Sequence, residues 1–247
     1  YQLPLGVLAI SIATVVFPLL SRYAARNDRQ GLREASNRAL RLGAFCGIPA
    51  AAALILLARP ITALIFQHGQ FTAFDTDRAV LILRMYCLGM WAYFWNHVLL
   101  RAFFAQKDAR TPLIIACALA GLNVLLVVGG VFTPLRGGAI GLATAVTQSA
   151  NALLLVWTLR KRWGRLGLRR ILASVVRTLA ASACMCAAIL GAQRLVLWQM
   201  APDGDATKMS FAVVVAVTVP VGAGVFLLVA RLLRCSELTE LLGRRKA

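Results

Sequence analysis

LIIACALAGLNVLLVVGGVFT, Leu113–Thr133, runs for 21 residues without a charge and is closed by Arg110 on one side and Arg136 on the other. About 20 apolar residues let a helix cross a hydrocarbon layer roughly 30 Å thick. A helix is the economical choice there, because it satisfies its own backbone polar groups. Six further segments read the same way: Leu3–Leu20, Leu42–Ala58, Ala79–Leu100, Ala139–Leu159, Ile171–Ala192 and Met209–Ala230. The expected fold is all-α and integral to a membrane, with seven transmembrane helices.

The basic residues between these segments alternate. Ser21–Arg41 carries six basic and two acidic residues, Arg101–Pro112 three and one, Arg160–Arg170 six and none, and Arg231–Ala247 five and two. The intervening connections carry only Arg59 and Arg78, then Arg136, then Arg194 and Lys208. Basic loops stay cytoplasmic. The first segment is therefore expected to run outside to inside, with the C-terminus cytoplasmic and Tyr1 in or beyond the outer half of the membrane.

A net charge of +18 in a water-soluble domain would point to nucleic acid. Here 60% of residues are hydrophobic, so the charge reads as topological, with some of it facing anionic lipid headgroups. No nucleic-acid partner is expected. Of six cysteines, five lie inside apolar segments and Cys235 follows the last one; their spacing fits neither a disulfide framework nor a zinc site. The chain has no initiator Met and no signal-peptide n-region, which reads as the C-terminal part of a longer protein.

Local signals subdivide the chain. Asn27–Arg41 reads as a surface amphipathic helix, capped by Asn27 or Asp28, with Glu34 and Arg38 as an i,i+4 pair. Arg59-Pro60 is expected to end the second span, and Ile61–Phe66 to form a short interfacial helix. Gly69 allows a turn, and Thr72 or Asp75 can cap the third span. Lys107 and Asp108 sit at a turn, and Thr111-Pro112 opens the fourth span. Gly137, Gly138 and Gly141 allow close helix packing. Pro4, Gly6 and Pro18 in the first span leave two readings open, a mild kink or a bend lining a cavity. The last two spans, after the most basic link, read as an addition to a five-helix unit. The expected division is 1–160 and 161–247.

Ionisable groups at membrane depth are the default functional candidates. They are few: Arg84, His97, Arg101 near an inner end, and Arg177. Asn96, Asn123, Thr144, Gln148 and Asn151 add neutral polar groups. The arginines either snorkel to the headgroups or point into a cavity and meet an anionic substrate. His97 is either a packing residue or a proton carrier. No Asp or Glu lies inside a span, so a self-contained cation relay is not expected. No catalytic constellation, metal-ligand spacing or phosphate-cradling Gly loop is present, so neither an enzyme nor a cofactor is expected.

Four motifs in order then resemble one family. They are QLPLGVLAISIATVVFPLLS (Gln2–Ser21), LIFQHGQFTAFD (Leu64–Asp75), RAFFAQKDARTP (Arg101–Pro112) and GAIGLATA (Gly138–Ala145). Together they resemble the MurJ (MviN) lipid II flippases of the multidrug/oligosaccharidyl-lipid/polysaccharide exporter superfamily. The resemblance implies a fourteen-helix, two-lobe transporter of the bacterial inner membrane. This chain would be its C-terminal half: a partial second lobe (1–160), then two helices forming a lipid-tail groove and a basic tail (161–247). It implies alternating access that moves undecaprenyl-diphosphate-linked peptidoglycan precursor outward. Its implied partners are lipid II, anionic phospholipids and the N-terminal lobe of the same chain, in a monomer.

On that reading the substrate pathway would include Gln2, Pro4, Arg84, His97, Arg101, Asn123, Asn151 and Arg177, with Arg177 near the groove–cavity junction. The motif loops would contribute Phe66, Gly69, Phe71, Thr72, Asp75, Lys107, Asp108, Thr111 and Pro112. The family's essential cavity arginines lie mostly outside this stretch, so the chain by itself is not expected to flip lipid. Gln2 stands where some members carry an acid, and His97 where a Lys can occur. Competing readings are a flippase for another polyprenyl-linked oligosaccharide, a cation-coupled drug exporter, and a non-transporting scaffold.

Overall fold

The computed structural model describes residues 1–133, 137–164, 167–200 and 207–241. The expected basic positions Arg136, Arg165, Arg244, Arg245 and Lys246 lie outside the described residues. Among the described residues, ten α-helices and one π-helical turn follow one another: α1 (Gln2–Pro4), the π turn (Leu5–Ala9), α2 (Ile10–Ala25), α3 (Arg29–Phe66), α4 (Ala73–Leu88), α5 (Met90–Ala105), α6 (Arg110–Val131), α7 (Gly138–Trp163), α8 (Leu168–Met200), α9 (Lys208–Leu232) and α10 (Ser236–Leu241). Among the described residues, six helices are long and apolar enough to cross a membrane. The expected third span is present as α4 and α5, 16 residues each, which are individually too short.

The reason for that break is a close helix crossing. A Cβ on Gly89 would lie 2.6 Å from the Ala145 Cα of α7. Gly89 therefore ends α4, its N–H bonding the Tyr86 carbonyl, and starts α5 through its own carbonyl. The same face of α7 stays small along the crossing. A Cβ on Gly141 would lie 2.8 Å from both the Ile82 carbonyl oxygen and the Met85 Cβ, and one on Gly138 would meet Leu81 at 3.1 Å. Lipid supplies no hydrophobic drive between helices, so close packing of small residues is what holds such a pair together.

The second expected span also differs. The surface helix, the span and the interfacial helix are one continuous α3 of 38 residues. At about 1.5 Å per residue it is about 57 Å long, so its ends project well beyond the hydrocarbon. Arg59-Pro60 does not end it. Pro60 removes one backbone bond, to the Leu56 carbonyl, while Pro60 and Ala63 are buried in the packed bundle and the helix continues to Phe66. The basic end of α3 does not lie free on a surface either. Leu32, Ala35, Ala39 and Leu40 join a core with Leu99 and Phe103 of α5 and Leu155 and Leu159 of α7.

The expected Glu34–Arg38 pair is absent. Arg38 instead pairs with Glu240 of α10 at 2.7 Å, and Glu34 accepts from the Gln30 amide at 3.0 Å. α10 is thus fastened across the basic end. Its Glu237 is buried, accepts from the Ser174 hydroxyl at 2.9 Å and faces Arg41 at 3.5 Å. A second core joins Phe45 and Leu57 of α3 to Met185 and Ile189 of α8 and Val214 and Phe226 of α9.

Gly141→Leu forces a side chain into backbone atoms. It is expected to cost about 3 kcal/mol or more, whereas Gly121→Leu, at a position with no neighbour within 4 Å, stays within about 0.5 kcal/mol. Thermal unfolding of the two variants in detergent checks this.

Candidate functional site

The polar groups at membrane depth gather where α5, α6 and α7 meet. The Asn96 amide of α5 donates to the Gln148 side-chain oxygen of α7 at 2.8 Å and to its backbone carbonyl at 3.1 Å. The Asn123 amide of α6 donates to the Thr147 hydroxyl at 3.0 Å, and that hydroxyl donates to the Ala143 carbonyl at 2.9 Å. Between α6 and α7 lies a cavity of about 360 Å³ whose polar wall is Asn123, Thr144, Thr147, Gln148 and Asn151. Asn123 and Asn151 are therefore brought together. The side-chain oxygens of Asn96 and Asn151 are buried with no hydrogen-bond partner. An unpaired polar atom away from water is costly; Arg33, Ser36, Asn37 and Ser182 carry further such atoms elsewhere in the bundle.

The cationic candidates are not gathered there. Arg84 of α4 donates its Nε–H to the Ile55 carbonyl of α3 at 3.2 Å, one residue before the Leu56 carbonyl that Pro60 leaves without its helical donor. Arg84 as a residue is exposed. His97 and Arg101 sit one turn apart on α5, both half-buried, and Arg101 lies 5.4 Å over the Phe17 ring of α2. Arg177 is exposed on α8 and lies within electrostatic range of Cys235. Burial, followed by the Glu237 charge, raises that thiol above its ordinary value, and Arg177 opposes the rise. Gln2 is exposed and Pro4 half-buried, just before the π turn, where Tyr1 stacks on Tyr86 with ring centroids 4.7 Å apart.

The motif loops have a structural role that their residues spell out. Thr72 and Asp75 cap α4 reciprocally: Asp75 accepts from the Thr72 N–H at 3.0 Å and hydroxyl at 2.7 Å, and Thr72 accepts from the Asp75 N–H at 3.4 Å. Both expected caps are thus used. These bonds hold the Asp75 carboxyl below its ordinary value. Gly69 takes a left-handed φ of 61°, and Phe66 and Phe71 pack across the turn with centroids 6.1 Å apart.

The second loop is built like the first basic-end turn. Asn27 and Lys107 both adopt left-handed φ, 53° and 59°, after α2 and α5. The next residue in each case is an Asp whose N–H closes the preceding helix, on Tyr23 for Asp28 and on Phe103 for Asp108. Each Asp then caps the following helix, Asp28 on the Gly31 N–H at 2.9 Å and Asp108 on the Thr111 N–H at 3.0 Å.

Asp108 is the busier of the two. It also accepts from the Thr111 hydroxyl at 2.7 Å and from Arg162 of α7 at 2.5 Å, while Arg162 donates to Thr111 at 2.8 Å. Trp163 donates to Gln106 at 2.9 Å beside it. Pro112 is buried in the first turn of α6, where its missing N–H has no intrahelical partner to lose. Arg162 was not singled out by the sequence; an Asp-x-x-Thr turn facing a basic helix end was the available signal.

Comparison with known proteins bears on this geometry. The family model described as "Lipid II flippase MurJ" matches residues 1–202. A "Probable lipid II flippase MurJ" of Rhizobium meliloti (strain 1021) is 37% identical over 212 residues, 85% of this chain and 38% of that protein. A "Lipid II flippase MurJ" of Thermosipho africanus (strain TCF52B) is 33% identical over 162 residues, 65% of this chain and 32% of that protein. The solved structure titled "Lipid II flippase MurJ, inward closed conformation" superposes with a TM-score of 0.72 at 26% identity, covering 99% of this chain and 46% of the other. The chain therefore spans less than half the length of the relatives it matches.

The Thr111 bonds, followed by Arg162, hold the Asp108 carboxyl at about 2 against an ordinary 3.8. A depressed carboxyl contributes stability that is full above its unfolded value and is lost as pH falls through the folded one. The melting temperature of the wild type is expected to drop between pH 4 and pH 2 relative to Asp108→Asn. The two proteins should differ at pH 6 and converge near pH 2.

Proposed function

The chain belongs to the lipid II flippase MurJ family, and on that premise we propose that it forms the C-terminal part of a transporter that carries lipid II from the inner to the outer leaflet of the bacterial inner membrane. The basic end of the bundle faces the cytoplasm, because that is where Lys- and Arg-rich loops remain. Lipid II is a polyprenyl diphosphate bearing a sugar-peptide. Its charged headgroup cannot cross bare hydrocarbon, where an isolated ion costs on the order of tens of kcal/mol. A polar path between two lobes that open alternately replaces that lost hydration. The chain alone supplies one wall of such a path and does not flip lipid.

The observation that carries this reading is Arg84. It sits exposed at membrane depth, with one N–H spent on the Ile55 carbonyl and no Asp or Glu in any span to neutralise it. An intramembrane cation of that kind is expensive unless it faces a polar path. A guanidinium suits a diphosphate, which it can grip through two parallel hydrogen bonds. His97, Arg101, Asn123 and Asn151 belong to the same proposed path, and Arg177 to the junction with the groove for the lipid tail.

The test is made in cells that express the protein at its full natural length as the sole flippase. Rapid inactivation should make lipid II inaccessible to an impermeant enzyme that cleaves it at the outer leaflet, while total lipid II rises. Arg84→Ala at normal protein level should lower outer-leaflet lipid II about tenfold or more, in line with loss of a charge-assisted hydrogen bond, and Arg84→Lys should restore part of it. Unchanged outer lipid II on inactivation would defeat the reading.

A further inference from the structure

The two matching turns at the basic end face one another across a basin of about 1020 Å³. α2 and the start of α3 form one wall, and the ends of α5 and α7 form the other. Its polar lining comes from Ser21, Asn27, Arg29, Gln106, Lys107 and Arg162, with Phe104 as an exposed apolar face. The two acids closest in sequence to these cations are already engaged: Asp28 accepts from the Gly31 N–H, and Asp108 from Thr111 and Arg162. Among the described residues, neither Arg29 nor Lys107 has an acidic partner, so the basin keeps two uncompensated cations.

Lys107 carries the sharper information. Its φ of 59° lies in the left-handed region, which glycine occupies without steric cost. A position whose backbone favours glycine carries a lysine, and its side chain lines the basin. Hydrogen bonds within the turn use only the Lys107 backbone, its N–H donating to the Phe104 carbonyl at 2.9 Å. Folding therefore leaves the ammonium without a duty that the turn itself requires.

Resting on the flippase reading above, we propose that this basin is a loading vestibule that receives the anionic diphosphate–sugar-peptide headgroup at the cytoplasmic mouth, with Arg29 and Lys107 as its phosphate- or carboxylate-binding groups. The volume matches a large headgroup better than a single phosphodiester, since compact ligand sites run from roughly 300 to 1,000 Å³. Arg162, already held by Asp108 and Thr111, forms a fixed wall rather than a free contact. The vestibule is separate from the membrane-depth groups and acts before them, raising the local concentration of substrate at the entrance.

The protein at its full natural length, in nanodiscs of neutral phosphatidylcholine, is titrated with fluorescent lipid II and, separately, with phosphatidylglycerol. Lys107→Gly and Arg29→Gln should each weaken lipid II binding about tenfold at low salt, and the loss should shrink as salt rises. Lys107→Gly should melt no lower than the wild type, because glycine suits the turn, so weakened binding cannot be blamed on unfolding. Lipid II binding unchanged in both variants would overturn the proposal. Weakened phosphatidylglycerol binding with lipid II binding intact would also overturn it, assigning the basin to bulk anionic lipid. A wild-type protein that binds no lipid II at all would instead defeat the functional reading beneath it.

Discussion

The approach of α7 to the α4–α5 junction is the contact on which the rest of the bundle depends. With no Cβ at Gly89 or Gly141, backbone meets backbone, Gly138 admits the Leu81 side chain, and α7 sits deep enough to touch α4, α5 and α6 together. That depth places Gln148 within reach of Asn96 and Thr147 within reach of Asn123. It also sets the height at which α7 ends, so that Arg162 arrives beside Asp108 and Thr111. One steric allowance thus positions the membrane-depth polar cluster and locks the basic-end turn.

A second constraint follows from the solvent. Backbone groups released in hydrocarbon must find partners, and two irregularities of the chain bear on this. The π turn at Leu5–Ala9 keeps its bonds in a wider register. Arg84 reaches the Ile55 carbonyl beside the gap made by Pro60. At the basic end, where water is available, the turns after α2, α5 and α9 all pass through a left-handed residue that is not glycine: Asn27, Lys107 and Arg234. Two of those three turns then use Asp as a cap for the following helix, which engages the carboxylate in the turn.

Much of this was legible in the sequence, and the misses have physical causes. Hydropathy located the apolar segments, Thr72, Asp75 and Asp28 announced their caps by type and spacing, and Thr111-Pro112 marked the start of α6. The break at Gly89 was invisible because its cause, Ala145, lies 56 positions away in the sequence. Arg59-Pro60 read as a stop because a proline is judged against a lone helix, whereas α3 continues through it among buried neighbours. Glu34 lost Arg38 to Glu240 because a distant partner fixed by a packed helix outcompetes a flexible one on the same exposed face. The pairing of Asn123 with Thr147, and of Asn96 with Gln148, needed the crossing of α7 to be known first.

Small-residue packing thus holds a polar cluster where α5, α6 and α7 meet, Arg84 stands apart from it against α3, and the acids at the basic end are engaged in caps and ion pairs. The most direct test uses the purified protein at its full natural length in sealed proteoliposomes carrying fluorescent lipid II, with the fraction open to an external cleaving enzyme followed over time. The account predicts that protected lipid II becomes cleavable in vesicles with the protein and stays protected in vesicles without it. An equal, static protected fraction in both would contradict it.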